Sequence, residues 1–140
     1  MAKSRRPFRR RRNFRVETDE RVLYSERCSY APRNRALSFV GGEVSVTTQR
    51  VVFEPNLLAA LLRRRPWELR YNEIVETRTD HIDAGWPWGP LPALRIITNN
   101  SGARIPNQDI LVLRNEELAD QLEYWINNGW RWSHPDSPFQ

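Results

Sequence analysis

Few residues of the chain have the types and spacing that enzyme catalysis needs. The only His and Cys residues are His81, His134 and Cys28. His81 lies in Asp80–Asp83, a local His–carboxylate cluster that lacks the further His or Cys ligands of a metal site. A Cys–His nucleophile pair would require Cys28 to meet His81 in the fold, and a cysteine at a strand end is more often a small apolar packing residue. No phosphate loop, nucleophile elbow or dinucleotide fingerprint occurs. The sequence therefore predicts a non-catalytic protein without a cofactor or a metal.

Arginine is the residue type with the clearest chemical potential. Residues 1–15 hold eight Lys and Arg and no acid, out of 22 basic and 17 acidic residues in all. The other 125 residues therefore carry 14 basic and 17 acidic groups, a net charge of −3. Guanidinium groups bind phosphates through paired hydrogen bonds, which predicts polyanion binding by this arm. A solvated tail without a fixed partner is the alternative. The candidate contact residues are Arg5, Arg6, Arg9, Arg10, Arg11 and Arg12.

Composition divides the chain into an arm, one domain and a tail. Residues 1–17 are too basic and too poor in apolar groups to build a core, which predicts a disordered arm. Residues 18–129 have the length of one domain, and residues 130–140 form a Trp- and Pro-containing tail. A single cysteine excludes an internal disulfide and fits a reducing compartment. The longest apolar run, Asn56–Leu62, is far shorter than the roughly 18 residues of a membrane span. We expect a cytoplasmic protein that is at most peripheral to a membrane.

Alternating apolar and polar residues predict about eight short strands. Gly41 and Gly42 predict the turn of a short hairpin, and Pro55 is expected to end a strand. The predicted strands are Arg21–Cys28, Ala36–Val40, Glu43–Thr48, Arg50–Glu54, Trp67–Tyr71, Ile74–Thr79, Ala93–Thr98 and Asp109–Leu113.

One amphipathic helix is predicted at the end of the domain. Asn115 is a suitable N-cap, and Gly129 is a predicted left-handed C-cap. Apolar residues recur at helical spacing between them and form one stripe, namely Leu118, Leu122, Trp125 and Ile126. Short strands followed by one such helix predict a small antiparallel barrel or sandwich that the helix closes.

Four stretches resemble GRAM-like members of the PH-domain superfamily. They are ERVLYS at Glu20–Ser25, GGEVSVTTQRVVFEP at Gly41–Pro55, WELRYNEIV at Trp67–Val75 and LRIIT at Leu94–Thr98. The resemblance covers residues 18–128. It implies a mainly β (α+β) fold, a PH-like barrel of two near-orthogonal antiparallel sheets capped by one C-terminal α-helix. It also implies a core of Val44, Val46, Val51 and Phe53, a strand end at Thr47–Thr48, and Arg50 on the rim.

The resemblance also suggests where a ligand would bind. PH-like domains recognise lipids, peptides or proteins, and the fold alone does not choose among them. The lipid-binding members carry a basic cluster around the loop after the first strand. The corresponding residues, Arg27, Arg33 and Arg35, are therefore candidates for binding an anionic headgroup. An ordinary solvated loop is the alternative.

Two apolar segments are further contact candidates. Asn56–Arg65 predicts a short helix with a leucine face next to three arginines, as an interfacial membrane contact needs, unless that face packs on the barrel. The Gly85–Pro92 loop holds Trp86 and Trp88, which are either exposed anchors for a partner or bilayer or buried over the barrel. Trp130 and Trp132 are expected in a partly docked tail. The candidate contact residues are Leu57, Leu58, Leu61, Arg63, Arg64, Arg65, Trp86 and Trp88.

Two functions from different classes follow. The first is a non-catalytic PH/GRAM-like binding module that associates with an anionic membrane surface or a protein partner, aided by the Arg-rich tether. The second is a nucleic-acid-associated protein whose arm binds phosphates while the body serves as a scaffold. The oligomeric state stays open, because the Trp-rich segments would suit dimer contacts equally well.

Overall fold

A computed structural model of the chain describes residues 14–31, 40–56, 66–83, 86–99 and 107–133. Within these ranges the fold is mainly β with one C-terminal helix, as predicted. A 3-10 turn at Tyr71–Glu73 joins two of the strands. The strands are β1 (Val22–Tyr30), β2 (Val40–Thr47), β3 (Arg50–Pro55), β4 (Trp67–Arg70), β5 (Ile74–Asp83), β6 (Pro90–Thr98) and β7 (Asn107–Val112), and the helix is α1 (Glu116–Ser133).

The seven strands form one antiparallel sheet in the order β4-β3-β2-β1-β7-β6-β5. The two strands at its edges, β4 and β5, are consecutive in the chain. Only the three residues Tyr71–Glu73 separate them. A connection this short brings the two edges of the sheet close together at the turn.

One face of the sheet and the apolar stripe of α1 form the main core. Val44, Val46, Val51 and Phe53 are all buried, which confirms the predicted core. Their side chains share a face because alternate residues of a strand point the same way. From α1, Leu122 and Ile126 are buried, and Leu118 and Trp125 pack against the core while partly exposed.

The helix begins as predicted and ends later than predicted. The Leu118 N–H donates to Asn115 Oδ1 at 2.9 Å, so Asn115 is the N-cap. Gly129 is not a C-cap, because α1 continues to Ser133. A Cβ at Gly129 would collide with the Tyr71 hydroxyl, which donates to the Thr47 carbonyl at 2.7 Å. The glycine is needed for this close approach of the helix to the sheet.

The predicted turn at Gly41 and Gly42 is wrong. Both residues lie within β2, where they pair with Ser29 and Cys28 of β1. A Cβ at Gly42 would lie 2.7 Å from the Phe53 ring, so this position requires a residue without a side chain. The connection between β1 and β2 falls at residues 32–39, and most of the predicted strand Ala36–Val40 lies outside the described residues.

The only cysteine contributes to the core. Cys28 is buried among apolar side chains, and burial raises the pKa of its thiol far above the ordinary value. His81 is exposed on β5, where its ring lies against Glu116 rather than in the core. Cys28 therefore acts as the small packing residue that the sequence predicted.

Candidate functional site

Two connecting segments leave the sheet side by side. The ladder between β1 and β2 continues to the last residue of β1, where Tyr30 pairs with Val40. β3 ends at the same place, because the Asn56 N–H donates to the Gly41 carbonyl at 2.8 Å. Residues 32–39 and 57–65 therefore start from neighbouring strand ends.

A third segment joins the same end of the sheet. β6 ends opposite the start of β7, where Thr98 pairs with Asn107. Ile110, the fourth residue of β7, lies beside the end of β1, because the Ala31 N–H donates to its carbonyl at 2.9 Å, and Asn107 lies about 10 Å further along the strand. Residues 100–106 thus join β6 and β7 on the side of the sheet that also holds the end of β1, and they follow Asn99, whose N–H donates to the Glu73 carbonyl at 2.9 Å.

The three segments are rich in arginine and lack acidic residues in sequence. They contain six Arg and no Asp or Glu, namely Arg33, Arg35, Arg63, Arg64, Arg65 and Arg104. We call this end of the sheet the basic end, defined by the strand-terminal residues Ala31, Val40, Asn56 and Asn107. The predicted headgroup residues Arg33 and Arg35, the predicted Leu–Arg contact at 57–65 and the arginines of the arm lie outside the described residues. The structure shows where their segments attach.

Arg27 is the one predicted headgroup residue within the described part of the chain. It is exposed on β1 and lies opposite Glu43 of β2. It lies four positions before Ala31, which corresponds to about 13 Å along a strand. Arg27 therefore lies outside the basic end, and its neighbour across the β1–β2 ladder, Glu43, is acidic.

The segment before β1 crosses the outer face of β3. Arg50, Val52 and Glu54 alternate with the core residues of β3, so they face away from the main core, yet all three are buried. The Phe14 N–H donates to Glu54 Oε2 at 2.9 Å, and Glu20 accepts from Arg50 Nε at 2.8 Å. We call residues Phe14–Arg21 the strap. Its first four residues, which were predicted as part of the arm, lie against the sheet.

A buried ion pair holds the inner half of the strap. Arg50 and Glu20 are each only 6% exposed. Burial disfavours the Glu20 carboxylate, but hydrogen bonds from Arg50, the Glu17 backbone and Thr47 outweigh it, and the pKa of Glu20 is lowered. The Thr47 hydroxyl donates to Glu20 Oε2 at 2.6 Å. A carboxylate with this many donors stays charged in the fold.

Further contacts of Arg50 and Arg70 hold the outer half of the strap. Arg50 Nη2 donates to the Arg15 carbonyl at 2.7 Å, and its guanidinium lies 5.3 Å from the centre of the Phe14 ring. Arg70 grips both oxygens of Glu17, at 3.0 and 2.6 Å. These contacts fix the path of the chain up to the residue where the arm begins.

The position of Arg50 differs from the one that the family resemblance implied. Arg50 does not lie on the rim, because the strap covers it and Glu68 Oε1 accepts from its Nη1 at 2.6 Å. Sequence reasoning did not pair Arg50 with Glu20, which lies thirty residues earlier. The available signal was an arginine at the start of a short apolar strand, together with the acidic residues that follow the arm.

The predicted tryptophan contacts lie at the tip of the β5–β6 hairpin. Trp86 is 93% exposed and Trp88 is 65% exposed. The hairpin ladder extends to Asp83 opposite Pro90, so the tip follows a regular pair of strands. β6 leads from this tip at one end to residues 99–106 at the other. The Trp tip and the basic end therefore lie at opposite ends of β6.

Acidic residues surround a shallow groove between β5 and the start of α1. The groove, of about 200 Å³, is lined by Asp80, His81, Glu116 and Asp120, among others. His81 Nε2 lies 2.8 Å from Glu116 Oε2. The backbone N–H of His81 and the guanidinium of Arg95 both donate to Asp80. These hydrogen bonds lower the pKa of its carboxyl, and the bond from His81 has the larger effect. We call this region, β5 and the first half of α1, the acidic side.

The described residues lack two kinds of feature. They contain no group of three or more His, Cys, Asp or Glu that could hold a metal ion. They also contain no helix that is both long enough and apolar enough to cross a membrane.

Comparison with known proteins gives a fold and no activity. No family model matches the chain, and no curated protein matches it either. Among solved structures, the chain is similar to the C-terminal domain of an unknown protein from Leishmania infantum. The TM-score is 0.53 at 16% sequence identity, over 81% of this chain and 86% of that chain. At this identity the likeness concerns the fold alone.

Proposed function

We propose that the chain is a non-catalytic PH-like binding module, of the GRAM-like kind, whose basic end associates with an anionic membrane surface. The Arg-rich arm acts as an electrostatic tether. The single observation that carries this proposal is the convergence at one end of the sheet of three segments that hold six Arg and no acid.

The sheet topology supports the PH-like part of the proposal. Two antiparallel sheets that share a corner have a strand order like the one found here, with β1 next to β7. The two edge strands are joined by a three-residue turn, which a flat seven-stranded sheet could not accommodate. A helix packed on the inner face supplies the cap. A barrel of two near-orthogonal sheets accounts for all three features.

The distribution of charge supports the membrane part. Of the 22 Lys and Arg, seven lie in residues 1–13 and six in the three segments, which leaves nine for the rest of the chain. All 17 Asp and Glu lie in that remainder. A chain divided in this way orients in the field of an anionic surface, and each cation close to that surface contributes about 1 kcal/mol.

Sedimentation with vesicles tests the proposal. The full chain and a variant without residues 1–13 are mixed with phosphatidylcholine vesicles, with or without 30 mol% phosphatidylserine, at low and physiological salt. We expect both proteins to bind the anionic vesicles, the truncated one more weakly, and neither to bind the neutral ones. Duplex DNA and RNA are titrated in parallel by anisotropy. Tighter binding to nucleic acid than to the anionic vesicles, or no residual vesicle binding without the arm, would contradict the proposal.

A further inference from the structure

One edge of the sheet is long and open. β5 is the last strand in the sheet order, and within the described ranges no strand pairs with its side away from β6. β5 has ten residues, which is about twice the usual length of a strand, and none of them is proline. The other edge strand, β4, has only four residues. A long edge without proline presents a row of backbone donors and acceptors with which a further strand can pair.

The face of β5 that points toward the main core is only partly covered by α1. Thr79 pairs with Leu94, which is buried in the main core, so both side chains point to the same side of the sheet. His81, two positions further on, shares that side. Thr79 and His81 are nevertheless exposed. The helix therefore leaves room beside this edge of the core, and an additional strand would occupy it.

Two grooves lie between β5 and α1, one along each half of the strand. The acidic groove already described is lined by Thr79, His81 and Asp120, among others. The Thr77 hydroxyl donates to Glu123 Oε2 at 2.9 Å, and this contact separates the two grooves. The second groove, of about 170 Å³, has mainly apolar walls, formed among others by Ile74, Val75, Ile126 and Trp130. The two grooves thus follow one line along β5.

The charge of β5 and α1 indicates which partner fits. β5 contains three acidic residues and one Arg, and α1 contains four acidic residues and one Arg. The two elements therefore have a net charge of −5 when His81 is neutral. Asp120 is exposed in the acidic groove and takes part in no ion pair within the described ranges. Complementary charge favours a basic partner and disfavours an acidic one.

We propose that the open edge of β5 binds an extended basic peptide segment of a partner protein, which adds to the sheet as a further strand beside α1. Backbone hydrogen bonds to β5 supply the affinity, and alternate side chains that enter the two grooves supply the selectivity. Val75 and Thr79 are four positions apart, about 13 Å along a strand. A Lys or Arg of the peptide therefore reaches the acidic groove when an apolar side chain four residues away enters the second groove. The inference goes beyond the proposed membrane association and does not depend on it.

Two labelled ten-residue peptides test the proposal against the full chain by fluorescence anisotropy. Each consists of threonine and serine apart from one lysine and one leucine four residues apart. The two peptides carry lysine and leucine in opposite order, because an added strand can run in either direction. We expect one order to bind, and the same peptide with glutamate in place of lysine to bind at least about ten-fold more weakly.

Methylation of the peptide backbone tests strand addition without altering the protein. Two versions of the bound peptide are methylated on alternate nitrogens, one at the odd and one at the even positions. Only every second N–H of an added strand points toward β5. We therefore expect one version to lose binding by about ten-fold or more and the other to retain it.

Variants of the chain locate the site. Asp120→Lys reverses a charge in the acidic groove and should weaken peptide binding at least about ten-fold. Glu43→Lys is the matched control, because it makes the same change on β2, four places from β5 in the sheet order, and should change the affinity less than about two-fold. Amide exchange followed by NMR should slow at alternate residues of β5 when the peptide binds, and not on β4. Thermal unfolding checks the fold of both variants.

The outcomes decide the inference separately from the proposed function. Loss of binding in one methylated version and in Asp120→Lys, with slower exchange along β5, supports it. Absence of binding for both peptide orders, equal binding of the two methylated versions, or equal losses in Asp120→Lys and Glu43→Lys overturns it. None of these results bears on the vesicle sedimentation that tests the basic end.

Discussion

The basic end and the acidic side use charge in opposite ways. On the acidic side, charged groups find partners within the fold, with Asp80 bound to Arg95 and Glu116 in contact with His81. Glu76 likewise pairs with Arg78 on the same strand. At the basic end, the three connecting segments contain six Arg and no acid of their own with which to pair. The fold thus neutralises part of the acidic side internally, whereas the proposed function has an anionic surface neutralise the arginines of the basic end.

The strap uses charge in a third way, through a buried ion pair. Its arginine, Arg50, is paired as fully as any residue of the acidic side, with Glu20 and Glu68 as its partners. A buried pair is weak evidence for added stability, because desolvation of both ions offsets their attraction. Removing one partner is nevertheless costly, since the other is then left buried and uncompensated.

The largest expected effect comes from breaking that buried pair. Arg50→Ala leaves Glu20 without its main partner, and we expect a loss of about 3–5 kcal/mol in the free energy of unfolding. Urea denaturation at pH 7 measures it. Arg70→Ala is the matched control, because Arg70 is 39% exposed and its surface pairs contribute about 1 kcal/mol or less. Losses of equal size for the two variants would show that the strap is not anchored at Arg50.

A change of charge at each region should have unequal effects on binding. Arg63→Gln, Arg64→Gln and Arg65→Gln together should weaken binding to anionic vesicles by about ten- to a hundred-fold, since each cation near the surface contributes about 1 kcal/mol. The control replaces Arg78, Arg114 and Arg131 with Gln, which removes the same charge from exposed positions on β5 and at the two ends of α1. We expect less than about a three-fold change there, because the proposed orientation keeps these residues away from the bilayer surface. Equal losses of binding in the two triple variants would show that binding depends on net charge and not on the position of the arginines.

The dependence of stability on pH should also separate the strap from the acidic side. The pKa of Glu20 is lowered in the fold, so its contribution is present above its ordinary pKa of 4.5 and is lost as the pH falls through the lower value of the folded state. The pKa of Asp80 is lowered as well, but its carboxyl is exposed. We therefore expect Glu20→Gln to flatten the fall in stability below about pH 4.5, and Asp80→Asn to change it less. Denaturation midpoints between pH 3 and pH 7 test this expectation.

The local elements could be predicted from the sequence, and the strap could not. Strand alternation around Val44 and Val46 and the helical stripe that includes Leu122 depend on neighbouring residues, so periodicity alone indicates them. The pair between Glu20 and Arg50 joins residues thirty positions apart, and nothing local in the sequence connects them.

Glycine was the other source of error. Gly42 and Gly129 carry the signals of a turn and of a helix cap, yet both allow close packing, against Phe53 and Tyr71 respectively. A glycine that relieves crowding between distant elements cannot be distinguished from one that bends the chain, because sequence shows neither the neighbour nor the backbone angles. The attachment of three arginine-rich segments at one end of the sheet could not be predicted either, because it depends on the order of the strands.

The smallest expected effect is at the Trp tip, and it tests the comparison most directly. Trp86 and Trp88 are exposed, so Trp86→Ala and Trp88→Ala should each change the free energy of unfolding by no more than about 0.5 kcal/mol. Trp67→Ala is the control, because Trp67 stacks on Phe53 with ring centres 5.6 Å apart, and its loss should cost about 3–5 kcal/mol.

Vesicle binding is the decisive measurement for the same two variants. The tip lies at the opposite end of β6 from the segment at 99–106, and Asp83 at its base is exposed and acidic. Contact of the basic end with an anionic bilayer therefore leaves both indole rings in water, and we expect unchanged partitioning for Trp86→Ala and Trp88→Ala. Indoles that enter the interfacial region of a bilayer contribute to binding, so a ten-fold loss in either variant would place the membrane contact at the tip. The arginine-rich segments would then face away from the bilayer, and the roles assigned to the two regions would be reversed.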